Sequence, residues 1–233
     1  MPVNQPMTIL IPAFQAASYL PDLMEKIGKV APDISVIIVD DGSNDGTGQL
    51  LFPPNCLLLS KEKNEGKGAA IQTGLKHIRG GWVLCMDADL QHDPDDLPLF
   101  IAHLNRYPDT DLIVGKRRFD PPMPVQRRLS NRLSSFLTAL RCRHPVPDVQ
   151  CGFRAFRLES LPRFNWNDTG YLFETEMIMK ALLNGCKVDW IPVSTIYNSS
   201  HSHIRPWETI RKFVTLWLLS FSWERNGRPR LQS

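Results

Sequence analysis

Residues 84–92 read Leu84-Cys85-Met86-Asp87-Ala88-Asp89-Leu90-Gln91-His92, an apolar run that ends in two carboxylates and a carboxamide. With Trp82 and Val83 before it, the run has the length and content of a strand covered on both faces. Alternate side chains of an extended segment point the same way, so Asp87 and Asp89 can converge on one divalent cation with the Gln91 oxygen in reach. The next three acids have a different use. Asp93 before Pro94 suits a helix cap with a first-turn proline, and Asp95 and Asp96 complement the dipole of a helix that buries Leu97, Phe100, Ile101 and Leu104. Asp87 and Asp89 have no such role, and two carboxylates at the end of a buried strand are costly unless a cation or donors compensate them.

Upstream, Met7 to Ile11 and Ser35 to Val39 read as strands, with Ser18 as the cap of a helix that places Leu20, Leu23, Met24 and Ile27 on one face. Strand, helix and strand in this order make a parallel βαβ unit, and ligands of such sheets bind beyond the carboxyl ends of the strands. Pro12 to Phe14 and Asp40 to Gly42 therefore face the same crevice as Asp87 and Asp89. An Asx-rich turn explains residues 40–47 equally well. Cys56 to Ser60 is a third strand, and the loop through Gly66, Lys67 and Gly68 opens a helix. Amides at that helix start, with the Lys67 charge, can hold a diphosphate, although a plain flexible turn also accounts for the loop.

Downstream, Asp111 to Gly115 is a strand that closes on Lys116, Arg117 and Arg118. Gln126 to Leu140 is an amphipathic surface helix with Leu129, Leu133, Phe136, Leu137 and Leu140 on one side. Its Arg127, Arg128 and Arg132 are either solvated or, with Lys116, Arg117, Arg141 and Arg143, an attraction for an anionic acceptor or lipid headgroup. Asp148 to Arg154 is a loop entering a strand. Phe173 opens a helix whose Glu174 and Glu176 suit either its dipole or proton transfer. Lys187 to Val193 is a further strand, and His203 and Arg205 after it fit phosphate contact better than metal ligation. Trp207 to Trp223 is a helix that packs on the core or lies at a membrane surface.

The 233 residues, 42% hydrophobic and 22% charged, have the size of one domain with a substantial core. The five cysteines show no CxxC spacing, which favours a reducing compartment over a disulfide scaffold or zinc site. Residues 1–6 lack the pattern of a secretory leader, and the apolar run 213–223 is shorter than the roughly 20 residues of a membrane span. These features predict a cytoplasmic protein, with the cytoplasmic face of a membrane as a peripheral contact. A formal charge of +3 gives no reason to expect a nucleic-acid partner.

Taken in order, Ile11-Pro12-Ala13-Phe14, Val39-Asp40-Asp41-Gly42-Ser43-Asn44-Asp45-Gly46-Thr47, Asn64-Glu65-Gly66-Lys67-Gly68, Met86-Asp87-Ala88-Asp89-Leu90-Gln91-His92, Gly152-Phe153-Arg154 and Ser202-His203 resemble the family-2 glycosyltransferases. The likeness is greatest to the branch of dolichyl-phosphate mannose synthase-like and polyprenyl-phosphate sugar synthases, and covers about residues 7–210. It implies an α/β, Rossmann-like domain of GT-A type, with a largely parallel sheet flanked by helices, and an inverting enzyme that uses Mg²⁺ or Mn²⁺. By the resemblance Pro12, Phe14, Asp40 and Asp41 contact the donor nucleotide, Asp87, Asp89 and Gln91 hold metal and diphosphate, and Lys67, His203 and Arg205 add diphosphate contacts. Arg117, Arg127 and Asn131 take acceptor-phosphate positions, with Gln150 beside them. Asp89, Arg117, Glu174 and Glu176 are the catalytic candidates. The chain departs from the family at Phe14-Gln15-Ala16, where Tyr-Asn-Glu is frequent, and at His201-Ser202-His203, where Glu-Ser-Lys is frequent.

The resulting expectation is a hexosyltransferase that carries a sugar from a GDP-mannose or UDP-glucose type donor to a lipid-linked phosphate. Transfer to a lipid, glycan or metabolite hydroxyl is the alternative on the same fold. A sugar nucleotidyltransferase and a nucleotide-sugar-binding scaffold without turnover are the alternatives in other classes. Residues 1–206 form the transferase domain in this reading, 207–223 an amphipathic helix and 224–233 a polar tail.

Overall fold

The computed structural model describes residues 5–118, 125–160, 166, 170, 172–196 and 206–223, the side chains of 206–208 excepted. Seven strands form one sheet: β1 (Met7–Ala13), β2 (Ser35–Asp40), β3 (Cys56–Ser60), β4 (Trp82–Cys85), β5 (Leu112–Arg117), β6 (Arg154–Arg157) and β7 (Val188–Val193). They lie in the order β3-β2-β1-β4-β6-β5-β7. β6 runs antiparallel to both β4 and β5, and the other pairings are parallel. The expected α/β architecture is therefore observed, with one reversed strand that nothing in the sequence predicts.

Ile9, Leu10, Ile11, Val83, Leu84 and Ile113 are fully buried, as the near-continuous apolar runs of a sheet covered on both faces require. The cover comes from helices α1 (Leu20–Val30), α2 (Lys67–Leu75), α3 (Leu97–Arg106), α4 (Val125–Cys142), α5 (Phe173–Leu183) and α6 (Pro206–Leu219). α1 and α3 bury the residues their periodicity predicts. Ser18 does not cap α1. Tyr19 holds that position without a side-chain bond, because the Ala16 carbonyl already accepts from the amides of Tyr19 and Leu20, each at 3.0 Å. Asp93 does cap the turn before α3, accepting from the Asp95 amide at 3.2 Å. Asp96, expected to serve the dipole, is buried and instead accepts from the Ser194 amide at 2.6 Å, tying the exit of β7 to this turn.

α4 is turned inside out relative to an ordinary amphipathic surface helix. Asn131, Ser134, Ser135, Thr138 and Arg141 are buried, while Leu129 and Phe136 are 67% and 64% exposed. The inner face is polar because it satisfies a polar loop: Ser135 Oγ accepts from the Val149 amide at 3.0 Å and Ser134 Oγ accepts from the Gln150 carboxamide at 3.2 Å. α6 buries Phe213 and Leu216 against Leu172 and Leu137. No helix among the described residues is long and apolar enough to cross a membrane.

Candidate active site

The topology assembles the site. β1, β2 and β4 are parallel, so Ala13, Asp40 and Cys85 end at one edge of the sheet. Reversed β6 begins at that same edge, with Arg154 opposite Cys85, and this carries Gly152 and Phe153 to the side of Asp87. A crevice of about 280 Å³ opens there, lined by Pro12, Phe14, Asp41, Lys67, Asp87 and Asp89 among others. A larger hollow of about 710 Å³ lies at the opposite edge, around Thr8, Ser35 and Arg79, but has no carboxylate in its lining. Two non-glycine residues beside the crevice have left-handed backbone, Gln15 with φ 53° and Leu90 with φ 60°. For residues that gain nothing from this conformation it is a local strain of the kind that binding sites hold.

Lys67 is the centre of charge. Its ammonium pairs with Asp87 Oδ1 and with Glu174 Oε1, the latter at 2.5 Å. Burial works against that charge, but Asp87 and Glu174 outweigh it and hold the lysine well above its usual pKa. Burial likewise pushes Asp87 up, yet Lys67 prevails and brings it down to about 2. Asp89 has the opposite fate: burial, and then the charge of Asp87, push it up to about 6. His92 is buried behind the pair, and its Nδ1 accepts from the Asp87 amide at 3.3 Å. Burial drives this imidazole down to about 4, so it is neutral at neutral pH and serves as a fixed acceptor. Its ring stacks on Phe153 with centroids 5.2 Å apart.

Gly152 touches this ion pair. A Cβ at that position would stand 2.5 Å from Asp87 Oδ2 and 2.9 Å from Lys67 Nζ. Gly152→Ala is therefore expected to displace Asp87 or Lys67 and to lower kcat/KM by about 10- to 100-fold, the scale of a misplacement near 1 Å. Steady-state kinetics beside a thermal melt will check this, since activity should fall far more than stability.

The turn after β2 braces the entry to α2. Asp41 accepts from the amides of Glu65 at 3.1 Å and Gly66 at 2.7 Å, and from Lys61 Nζ at 2.6 Å. Gly66 has φ 99° and ψ 160°, a conformation essentially restricted to glycine, which lets its amide turn toward Asp41. Of the two acids predicted here, Asp41 lines the crevice, whereas buried Asp40 accepts from the Ser43 amide at 3.1 Å in its own turn. The Gln91 amide donates to Asp89 Oδ1 at 3.0 Å, and its carbonyl accepts from the Ile196 amide at 3.0 Å.

The two glutamates separate. Positions two apart on a helix diverge, so when Glu174 reaches Lys67 in the crevice, Glu176 is sent elsewhere. It is fully buried and pairs with Lys180 at 2.5 Å, and that ammonium sits 4.7 Å from the centroid of Trp223. Glu176, the other catalytic candidate on this helix, therefore lies on Lys180 and not beside Lys67.

Arg117, Asn131 and Gln150 come together, around a residue that the sequence reading leaves without a role. Asp148 is fully buried and accepts from Arg117 Nε at 2.8 Å and Nη2 at 2.9 Å, from Asn131 Nδ2 at 3.0 Å and from the Gln150 amide at 3.3 Å. The Arg117 charge still reaches Asp87 and His92. Arg127 stands apart from this network, exposed on the first turns of α4. Arg154, also unassigned from sequence, is buried and donates to the carbonyls of Cys151 and Glu174, the latter at 2.9 Å, which locks the Gly152 loop to α5. The signal available for both is their place in Asp148-Val149-Gln150-Cys151-Gly152-Phe153-Arg154, a charged residue at each end of a short apolar loop. His203 and Arg205 lie outside the described residues, as does the 224–233 tail.

The sequence pattern of Glycosyl transferase family 2 matches residues 8–164, which run from the second residue of β1 through β6 and include Asp41, Asp87 and Asp89 of the crevice. The chain belongs to this family. As a family 2 glycosyltransferase it is 29% identical over 214 residues to a dolichyl-phosphate beta-glucosyltransferase of Trichomonas vaginalis, covering 82% of this chain and 66% of that protein. It is 28% identical over 207 residues to the polyprenol monophosphomannose synthase of Mycolicibacterium smegmatis, covering 80% and 76%. These relatives are consistent with the polyprenyl-phosphate sugar synthase branch. Glucosyl-3-phosphoglycerate synthase from Mycobacterium tuberculosis, solved with Mn²⁺, uridine-diphosphate-glucose and phosphoglyceric acid, has the same fold. Its TM-score is 0.78 over 96% of this chain and 82% of that one, at 17% identity.

Proposed function

We propose that this glycosyltransferase moves a hexose from a UDP-glucose or GDP-mannose type donor to a lipid-linked phosphate, by a single displacement that inverts the anomeric carbon. The observation that carries the choice of acceptor is the engagement of both candidate bases. Glu174 is held by Lys67 at 2.5 Å and Glu176 by Lys180 at 2.5 Å. A hydroxyl acceptor needs a base to take its proton. A phosphate monoester, with a second pKa of about 6, is already largely dianionic at neutral pH and needs none.

Asp87, Asp89 and Gln91 are the residues that would hold Mg²⁺ or Mn²⁺. The described residues contain no cluster of three or more His, Cys, Asp or Glu ligands. Two carboxylates and a carboxamide suit a small hard cation that completes its shell from phosphate oxygens and water, rather than one needing an all-protein cage. When bound, such a cation neutralises charge on the leaving diphosphate. Lys67 adds fixed positive charge: its ammonium has three N–H donors, of which Asp87 and Glu174 take two. Pro12 and Phe14 line the side of the crevice where the nucleoside would lie. Arg117, fixed by Asp148, and exposed Arg127 would orient the acceptor phosphate.

The test is transfer from a panel of UDP- and GDP-sugars to polyprenyl phosphate and, in parallel, to the free polyprenol. Glu174→Gln should keep transfer to the phosphate within about tenfold, because no base is removed, whereas Arg127→Ala should lose at least about tenfold. Glycosylation of the alcohol that Glu174→Gln abolishes would replace this reading with the hydroxyl-acceptor one. Release of pyrophosphate from a nucleoside triphosphate would replace it with nucleotidyl transfer.

A further inference from the structure

The hollow at the opposite edge of the sheet lies where β1, β2 and β3 begin and the chain passes from α2 to β4. Its volume of about 710 Å³ falls in the range of pockets that hold a small organic ligand. β2 separates it from the crevice. Ser35 at the start of that strand lines the hollow, Asp41 just past its end lines the crevice, and an extended segment of this length sets the two about 20 Å apart.

The lining has two kinds of surface. Val36, Ile37, Leu57 and Ile78 make an apolar side, on which Leu57 is left 45% exposed. Thr8, Ser35, His77 and Arg79 make a polar side without a carboxylate. Basic residues after a helix end complement its dipole, and His77 does so directly, its Nδ1 donating to the Thr73 carbonyl at 3.1 Å. Arg79 is not engaged in that way. It is exposed and has neither an ion pair nor a hydrogen bond among the described residues, and the hydroxyls of Thr8 and Ser35 have no partner there either. Glu159 stands beside the rim, but its carboxylate accepts from the Gly81 amide at 3.0 Å and is not part of the lining.

An uncommitted guanidinium, hydroxyls near it and an apolar wall suit an organic phosphate, with the phosphate on the arginine and the carbon body on the wall. Inorganic phosphate would leave the wall unfilled, and a neutral ligand would leave Arg79 unused. We propose that this hollow is an effector site for a small phosphate monoester, separate from the donor and acceptor sites.

α2 connects the two ends of the sheet. It starts at Lys67 in the crevice and ends at Leu75, with His77 and Arg79 of the hollow two and four residues beyond. Ala70, Ile71 and Gly74 are buried along it, and a Cβ at Gly74 would run into Leu10 and stand 3.1 Å from Val39 Cγ2. Pressed this closely onto β1 and β2, the helix moves with them as one piece. A ligand that draws Arg79 and His77 inward acts on the end of a rod whose other end carries Lys67, the partner of Asp87 and Glu174. Occupancy of the hollow then changes the affinity for the donor nucleotide, and the nucleotide changes the affinity of the hollow by the same factor. Neither effect depends on which acceptor the enzyme uses.

Phenyl phosphate is a suitable probe, with inorganic phosphate and phenol as its two halves. Titrated into the full-length protein with UDP or GDP already bound, it should saturably shift the amide NMR signals of Ile78, Arg79, Gly80 and Gly81, and each half should bind more weakly. Arg79 is exposed, so Arg79→Gln keeps the fold, and it should weaken the probe at least about tenfold by removing the charge-assisted contact. By calorimetry the nucleotide Kd should change about fivefold or more when phenyl phosphate is present, and Arg79→Gln should abolish that change. Shifts confined to the crevice and the surroundings of Arg117, displacement of the probe by nucleotide, undiminished binding to Arg79→Gln, or phenol binding as tightly as its phosphate would overturn the site. A nucleotide Kd that does not move would overturn its role as an effector site.

Discussion

Asp89→Asn is expected to lower transfer by about three orders of magnitude while leaving the metal-free protein more stable than before. The loss follows from the proposed role of Asp89 in holding the cation and, through it, the charge that develops on the leaving diphosphate, an electrostatic contribution of that size when removed from a preorganised site. The gain follows from the free protein. Burial and the neighbouring Asp87 charge raise Asp89 from 3.8 to about 6, so its ionised form opposes folding at neutral pH. Removing that charge should stabilise the fold by about 1–3 kcal/mol at pH 7.

The sign also sets a pH signature. A carboxylate raised in the folded state contributes stability below its unfolded value near 4 and loses it as the pH rises through about 6. His92, lowered from 6.5 to about 4, contributes stability above 6.5 and loses it as the pH falls through about 4. The two oppose each other across one window. Metal-free wild-type protein should therefore show a nearly level stability from pH 4 to about 6.5, and Asp89→Asn should become steadily more stable as the pH rises through it. Chemical denaturation at several pH values, with chelator present, reads both curves. A variant that is less stable at pH 7, or that retains transfer, would remove Asp89 from this role.

The second large effect concerns stability. Asp148→Ala removes a fully buried carboxylate from under the Arg117 guanidinium, the Asn131 carboxamide and two backbone amides. Leaving such a charge without its partner costs about 3–5 kcal/mol, far more than the pair adds relative to an apolar replacement. For a chain of this length that corresponds to a fall in Tm of roughly 10–15 °C. Arg117→Ala should be destabilising by a similar route, and the double variant should cost much less than the two together, with a coupling of about 2 kcal/mol or more in a double-mutant cycle. Additive losses would mean that the pair is not a unit. Asp148→Asn, which retains the shape, should fold better than Asp148→Ala yet raise the KM for the acceptor, because Arg117 is no longer held in one orientation.

The legible part of this molecule is the part written in local chemistry. β1, β2 and β4 are apolar runs too short for helices, each closing on a polar turn, and the helical spacing of α1 and α3 names their buried residues correctly. Asp93 can be separated from Asp87 because a proline and two further acids after it form a recognisable cap. Three of the acceptor-side residues do meet, but the carboxylate that gathers them is not identifiable from the chain. Asp148 has no periodic neighbours, and its partners at positions 117 and 131 are distant in sequence. The glutamates of α5 are equally apt in composition; only the direction in which the helix packs separates Glu174, on Lys67, from Glu176, on Lys180.

By itself the sequence determined that Asp87 and Asp89 end a buried strand and that other strand ends gather beside them, since burial, alternation and capping act over a few residues. Tertiary structure decided what those carboxylates face. The four residues of β6 are too short to signal their direction, yet their reversal places Gly152 against Asp87 and Arg154 against α5. It also decided which side of α4 is inside. Periodicity reports that a helix has two faces, but only the partners that the fold supplies determine which face is buried. Here a polar loop around Asp148 occupies the interior, so the apolar face is left outside.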